Sequence, residues 1–316
     1  MTKLAICGDE CVIFAEKMIR SLLILLISVV FWNLENFFDY TDNGSSTSDT
    51  EFSSRGNKHW TKKKFLSKAE MVGKTILWAG MPDVAGFAEV ENACVMKSIC
   101  RSEILDKCGY RFAHFDSPDP RGIDVGLIYR DETMEYVLSR PIRVDSLRTR
   151  DILYVQLREK SDGTLWHFFV NHHPSKLGGS SKSALKRNKV MALLRNSVDS
   201  LFSAGETHIV AMGDFNDEPQ GQAFSLICPP LENLGLGIIS ADNNCGTIRF
   251  RGKWELIDNF LVSPSVGSAY RMEILRPSFL LERDGQFPGE KPARTYKGPR
   301  YNGGLSDHLP VALKKN

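Results

Sequence analysis

Five short apolar runs, spread over most of the chain, each stop at or enclose an Asn, Glu, His or Asp. Ile27 to Trp32 stops at Asn33-Leu34-Glu35-Asn36, and Pro82 to Ala88 stops at Glu89-Val90-Glu91-Asn92. His167 to Val170 enters Asn171-His172-His173-Pro174-Ser175, His208 to Met212 enters Gly213-Asp214-Phe215-Asn216-Asp217, and Trp254 to Val262 encloses Asp258. Runs of this kind read as buried strands, and α/β folds keep their sites at strand ends. Strand side chains alternate between faces, so Asn33 and Glu35, like Asp214 and Asn216, are expected to face one side. For the Gly213 to Asp217 stretch alone, a turn and a site weigh equally, because Asp and Asn are standard turn residues. Five such stretches, with Ser306-Asp307-His308 close to the end of the chain, favour a shared site.

The residue types suit phosphate chemistry. A carboxylate beside a carboxamide lets the acid bind or orient a water while the amide donates to a phosphoryl oxygen that is gaining charge. Motifs from position 33 to position 308 must converge, which argues for one large core in this 316-residue chain. Segments Lys64 to Ala79, Ala93 to Leu105 and Ser181 to Phe202 read as helices between the strands, an α/β layer pattern without internal repeats.

In order, NLEN, PDVAGFAEVEN, RGIDVGLIYR, NHHPS, GDFND, WELID and SDHLPV resemble the endonuclease/exonuclease/phosphatase superfamily of metal-dependent phosphoesterases, from Val29 to Ala312. The stretches GTIRFRGKWELIDNFLVS and RTYKGPRYNGGLSDHLPV resemble an uncharacterised bacterial group within it. GDFN followed at this distance by SDH is the specific part of the signal; EVEN or NHHPS alone is weak.

The resemblance implies an α/β four-layer sandwich of two mixed β-sheets flanked by helices, formed as one domain by residues 22–316. It implies that Asn33 and Glu89 hold a divalent cation with Asp307 nearby. His172 and Asn216 would contact the scissile phosphate, and Asp214 would handle the attacking water. Asp258 would pair with His308 and fix its tautomer. Mg²⁺, with Mn²⁺ as a substitute, suits such a hard ligand set, because it takes oxygen donors and usually only one or two carboxylates. The implied activity is phosphodiester hydrolysis of a nuclease-like kind by a monomer, with DNA or RNA among the candidate substrates. A phosphomonoesterase acting on an inositol or lipid headgroup is the alternative enzyme. A catalytically silent phosphate or nucleic-acid binding module is the third reading, and it is disfavoured because no acid or histidine position is missing.

Several residues carry lesser expectations. Glu35 and Glu91 are expected to orient neighbours without touching metal, and His173 to be a wall of the site. Arg121 can reach a phosphate or pair with Asp124; pairing is favoured, since a buried Asp124 needs a partner. Asp39 to Lys58 is expected to be a long mobile loop rimming the site. Pro292 to Gly304 is a second loop, and its Arg294, Lys297 and Arg300 form a candidate anion clamp beside Asp307.

Charge leaves the partner open. A formal +2 and a pI near 8.1 fall short of the strongly basic balance of a committed nucleic-acid binder. Lys62-Lys63-Lys64 reads as the solvated start of a helix. Seven cysteines at irregular spacing do not form a disulfide framework. At the amino terminus, Leu22 to Trp32 is apolar but too short to span a membrane, and Met18-Ile19-Arg20 resembles the start of a secretory signal. Residues 1–21 therefore read as an extension or signal-like segment, with residues 1–17 upstream of a start at Met18. Location is open between the cytoplasm and export.

Overall fold

The computed structural model describes residues 27–145, 147–176, 180–242 and 244–316. The expectations for residues 1–21 and for Met18 lie outside the described residues. Among the described residues no helix is long and apolar enough to cross a membrane.

The first strands are β1 (Val29–Phe37), β2 (Val84–Val90), β3 (Tyr110–His114), β4 (Asp124–Arg130), β5 (Met134–Ile142) and β6 (Ile152–Glu159). They are followed by β7 (Leu165–His172), β8 (Ile209–Asp214), β9 (Glu232–Asn233), β10 (Ile248–Phe250), β11 (Lys253–Glu255) and β12 (Asp258–Val262). The last are β13 (Tyr270–Ile274), β14 (Leu281–Arg283), β15 (Glu290–Pro292), β16 (Tyr296–Lys297), β17 (Arg300–Tyr301) and β18 (Val311–Lys315). Between them lie the helices α1 (Thr47–Glu51), α2 (Lys62–Trp78), α3 (Ala93–Cys100), α4 (Ser180–Ser203) and α5 (Gly235–Ala241).

Two six-stranded sheets form, in the orders β13-β18-β1-β2-β4-β3 and β5-β6-β7-β8-β12-β9. Both are mixed: β1 and β2 run parallel, as do β7 and β8, while their outer neighbours are antiparallel. One apolar face of each sheet meets the other, so Phe31, Leu127, Phe168, Val170, Met212 and Phe260 are buried together. Gly86 lets the two sheets pack closely here, since a Cβ at this position would come within 2.9 Å of the Met212 methyl.

Helices cover the outer faces. On α2, Phe65, Ala69, Val72 and Ile76 fall at the spacing of one helical stripe and pack with Trp32 and Met96 outside the first sheet. Asn92 caps α3 by accepting from the amides of Cys94 and Val95. Met191, Leu194 and Val198 of α4 cover Phe169, Ala211 and Leu261 of the second sheet. The result is the helix, sheet, sheet, helix layering expected from the sequence.

Two local expectations need correction. The Trp254 to Val262 run is not one strand: β11 ends at Glu255 and β12 starts at Asp258. Leu256 and Ile257 make the step from the small β10-β11 hairpin into the second sheet, where Phe215 donates its amide to the Ile257 carbonyl at 2.9 Å. The Asp39 to Lys58 segment is not structureless. It contains α1, capped by Ser46, and buries Asp49 and Phe52. Asp49 Oδ2 accepts from the amides of Asn43 and Ser45, which ties the segment to itself. Among the described residues the cysteines are free; Cys100 is buried and Cys94 is exposed.

Candidate active site

The central strands deliver polar groups to one end of the two sheets. In the second sheet, Asp214 is in register with His172 of parallel β7 and with Asp258 of antiparallel β12, so three site residues stand level across three strands. In the first sheet, Asn33 is in register with Ala88, the neighbour of Glu89. The segment before β18 brings in His308. Its carbonyl accepts from Trp32 Nε1 at 2.9 Å, and Ser306 Oγ donates to the Asn33 carbonyl at 2.6 Å.

Both first-sheet strands bulge where they meet the site. Register shifts lie between Asn33 and Phe37 and between Ala88 and Val90, with Glu35, Asn36 and Glu89 at φ of 46°, 49° and 59°. Non-glycine residues in this region cost about 1–3 kcal/mol each and persist only where their surroundings hold them. Here the two bulges hold each other: Glu89 Oε2 accepts from the Asn36 amide at 2.8 Å, and Asn33 Oδ1 accepts from the Glu35 amide at 2.9 Å. The alternation expected of Asn33 and Glu35 is thereby broken. Asn33 Nδ2 donates to Asp214 Oδ2 at 3.0 Å, whereas the Glu35 carboxylate turns to Arg294 Nε at 2.8 Å and the Thr295 amide at 2.9 Å. Asn216 departs from alternation too. Its φ is 50°, its amide donates to Asp214 Oδ1 at 2.9 Å, and its Nδ2 donates to the His173 carbonyl at 3.0 Å. Turn and site are one structure here, because the same carboxylate closes the turn and faces the histidines.

Asp214 lies between two imidazoles, with His172 Nε2 at 3.6 Å and His308 Nε2 at 3.9 Å from its Oδ2. Burial, with the nearby Asp258 charge, raises its pKa. His308 Nδ1 lies 2.7 Å from the buried Asp258 Oδ2. Burial opposes protonation of His308, but the carboxylates of Asp258, Asp214 and Asp307 outweigh it and hold the imidazole well above its usual value. His172 goes the other way: burial and the positive charges of Arg150 and Arg121 hold it well below. The site therefore sets a charged imidazole opposite a neutral one.

A second group surrounds Arg294, which reaches Glu35 and, through Nη2, Asp307 Oδ2 at 2.9 Å. Buried Lys68 lies beneath it, donating to the carbonyls of Leu34 at 2.6 Å and Glu35 at 2.9 Å and to Thr295 Oγ1 at 2.9 Å. Burial and the Asp307 charge raise Glu35, and burial lowers Lys68. Arg121 does not pair with Asp124. Its Nη2 meets Asn36 Oδ1 at 2.6 Å and Glu89 Oε1 at 3.4 Å, while Asp124 Oδ1 accepts from Ser117. The three basic residues of the Pro292 to Gly304 segment also part company. Arg294 joins the site, Lys297 pairs with Glu282 at 2.7 Å, and Arg300 stands exposed on the β16-β17 hairpin. His173 is a buried wall against Phe215. Glu91 turns away from the site to accept from the Asp39 amide at 2.7 Å.

Two participants escape a reading of the sequence. Lys68 interrupts the apolar stripe of α2 at the position next to Ala69, and that interruption is the available signal. Arg150, just before β6, donates to the carbonyls of His172 at 3.2 Å and His173 at 2.7 Å and pairs with Asp119 at 2.9 Å. Nothing in its sequence surroundings distinguishes it from a surface arginine.

The donors suit a hard cation. Glu89, Asp307 and the Asn33 carboxamide offer oxygen, and among the described residues the ion-pair partners of Glu89 Oε1 are Arg121 at 3.4 Å and His172 at 3.8 Å. Burial first, and the charges of Asp307 and Asp258 second, raise the carboxyls of Glu35 and Asp214. Asp214, Asp258 and His308 also bring one ligand atom each within 4.8 Å of the others. With His308 Nδ1 committed to Asp258, that trio is better matched to holding a proton than a metal.

Residues 28–315 match the family described as Endonuclease/Exonuclease/phosphatase family. No curated protein matches the chain. Among solved structures, a mannosyl-6-phosphatase from Bacteroides thetaiotaomicron superposes with a TM-score of 0.59 at 17% identity, covering 92% of this chain and 100% of that one. The human Nocturnin catalytic domain, with a bound sulfate anion, gives 0.56 at 18% identity over 92% and 93% of the two chains. TDP2 of D. rerio, complexed with a single strand DNA product, gives 0.55 at 14% identity over 92% and 98%. These likenesses fall on the same two-sheet fold, and the family match spans nearly every described residue. The chain belongs to the endonuclease/exonuclease/phosphatase family, whose members are phosphoester hydrolases.

Proposed function

We propose that this protein is a divalent-metal-dependent phosphodiesterase of nuclease-like specificity. The observation that carries the reading is the meeting of Asn33, Glu89, His172, Asp214 and Asp258 from five strands with Asp307 and His308 at one end of the paired sheets. Mg²⁺ or Mn²⁺, held by Glu89 and Asn33 with Asp307, would neutralise phosphoryl charge and steady the leaving oxygen. Asp214, its pKa raised toward neutrality by burial, orients the attacking water and takes its proton. Charged His308 stabilises the extra negative charge of the pentacovalent state, and neutral His172 adds a hydrogen bond. Asn216 reaches a phosphoryl oxygen after its amide rotates off the His173 carbonyl. Arg121 and Arg294, at the two sides of the pocket, hold non-bridging oxygens.

A polyanionic substrate is favoured by the rim beyond Arg294. Lys58 Nζ donates to the Gly298 carbonyl at 2.9 Å and Lys64 Nζ sits 4.5 Å from the Tyr301 ring, so the Lys58 to Lys64 segment is held against the hairpin carrying Lys297 and Arg300. Lys58 is paired with Glu51 at 3.3 Å and Lys297 with Glu282, so among the described residues the rim's charges outside ion pairs are those of Lys62, Lys63, Lys64 and Arg300. Binding to single- and double-stranded DNA across a salt series, with Ca²⁺ suppressing cleavage, tests this. Arg300→Ala should flatten the slope of log affinity against log salt by about 0.7–0.9, whereas Lys297→Ala, already neutralised by Glu282, should change it less. Shallow slopes that neither variant alters would transfer the assignment to a small phosphomonoester.

A further inference from the structure

At the outer edge of the first sheet, the last residue of β3 and the first of β4 stand at the two ends of the loop of residues 115–123. His114 and Asp124 are deeply buried, with side chains 3% and 6% exposed, while Asp116 beside them is 86% exposed. Among the described residues His114 Nε2 has no hydrogen-bond partner and lies 3.6 Å from Asp124 Oδ2; the opposite ring nitrogen, Nδ1, lies 3.9 Å from Asp116 Oδ1, so an ion on Nε2 requires the exposed Asp116 side chain to swing to that face. His114, Asp116 and Asp124 each bring one ligand atom within 4.8 Å of the other two. We propose that these three residues form a second cation site, separate from the candidate active site and suited to a transition metal such as Zn²⁺ or Mn²⁺.

Several observations favour an ion over a simple imidazole–carboxylate pair. A separation of 3.6 Å is too long for a hydrogen bond. It is close to the spacing of two ligands on one ion, each about 2.0–2.2 Å from the metal. Asp124 Oδ1 is engaged by the Ser117 amide at 3.0 Å and by the Ser117 hydroxyl, which orients the carboxylate and leaves Oδ2 for the ion. The local acids lack a positive partner. Asp119 is neutralised by Arg150 at 2.9 Å, but among the described residues no lysine or arginine pairs with Asp116 or Asp124. Imidazole with carboxylates is a donor set for Zn²⁺ or Mn²⁺; Mg²⁺ and Ca²⁺ prefer oxygen alone. The preference separates this site chemically from the oxygen donors around Glu89.

An ion here would clamp both ends of the 115–123 loop. That loop carries Arg121 to Glu89 and Asp119 to Arg150, which in turn holds the carbonyls of His172 and His173. The clamp therefore steadies one wall of the pocket without entering it.

Calorimetric titration of the Mg²⁺-saturated protein with Zn²⁺, paired with thermal unfolding, tests the proposal. The expected result is one Zn²⁺ equivalent that raises the melting temperature and persists in Glu89→Gln. It should weaken tenfold or more in Asp116→Asn and in His114→Gln. Asp116 is exposed, so its variant removes a ligand without emptying a core position. Zn²⁺ that enters the catalytic acids registers as a further equivalent, lost in Glu89→Gln. The proposal is overturned if no Zn²⁺ binds, if Asp116→Asn and His114→Gln bind as wild type does, or if the single equivalent present disappears with Glu89→Gln.

Discussion

Replacing Asp258 by Asn should lower the pKa of His308 while leaving its shape complement in place. Asp258 is fully buried, at 0% exposure, and its Oδ2 lies 2.7 Å from His308 Nδ1, so removing its charge weakens a short, charge-assisted bond. Such a bond contributes about 1.5–3 kcal/mol. At about 1.4 kcal/mol per pKa unit, that corresponds to a fall of roughly 1–2 units for His308. The sign follows from the direction of the shift. A histidine raised by folding acts as the charged form below its folded pKa and loses that action as pH rises through it. Asp258→Asn should therefore draw the alkaline limb of kcat/KM to lower pH by about 1–2 units and reduce the plateau about tenfold to a hundredfold. Stability should follow the same sign. The wild-type advantage should be greatest below the ordinary histidine value of about 6.5 and should fade as pH climbs through the raised value. The assay is hydrolysis of bis(p-nitrophenyl) phosphate at saturating Mg²⁺ from acid to alkaline pH, with circular dichroism to verify the fold. A folded variant whose alkaline limb stays in place would refute the charge argument, even if its rate fell.

Two further outcomes follow from Glu89, in β2, and Glu91, just after it. Glu89→Gln should raise the Mg²⁺ concentration needed for half-maximal activity by tenfold or more, whereas Glu91→Gln, whose side chain faces the Asp39 amide, should leave it unchanged; a metal titration of both variants checks this. Burial, together with the charges of Asp39 and Asp49, pushes Glu91 up to about 8, so its contribution to stability is present at acid pH and is lost as pH rises through that value. Glu91→Gln should flatten this dependence and stabilise the protein at pH 8 by about 1–3 kcal/mol, read from urea midpoints at acid and alkaline pH.

The layers of the fold were legible because apolar content marks buried strands and a 3.6-residue stripe marks the helices that cover them. What the sequence conceals is where backbone regularity stops. Strict alternation assigns faces to Glu35 and Asn216, but left-handed bulge and turn conformations redirect both. The break at Leu256 and Ile257 is hidden because both are buried, as they would be inside a strand. Charged residues that serve from a distance are hidden too. Lys68 reads as a flaw in an apolar stripe, yet it ties β1 to the segment carrying Arg294 through three hydrogen bonds. The anion clamp assigned to Arg294, Lys297 and Arg300 from proximity alone separates once Glu282 claims Lys297. Lys68 with Thr295 and Arg294 with Glu35 meet across 227 and 259 positions, and contacts of that span leave no local pattern to read.

The central claim is that one pocket, organised by Asp214, hydrolyses phosphate esters with a divalent metal. It is tested most directly by incubating wild type and Asp214→Ala with a panel of phosphodiesters and phosphomonoesters, with Mg²⁺ or Mn²⁺ and then with EDTA. The account predicts metal-dependent hydrolysis of diesters, abolished by EDTA and lowered at least a thousandfold in a folded Asp214→Ala protein, consistent with loss of both the base and the water it orients. Hydrolysis that survives EDTA or the Asp214 substitution, or a folded wild type inert toward the whole panel, would contradict it.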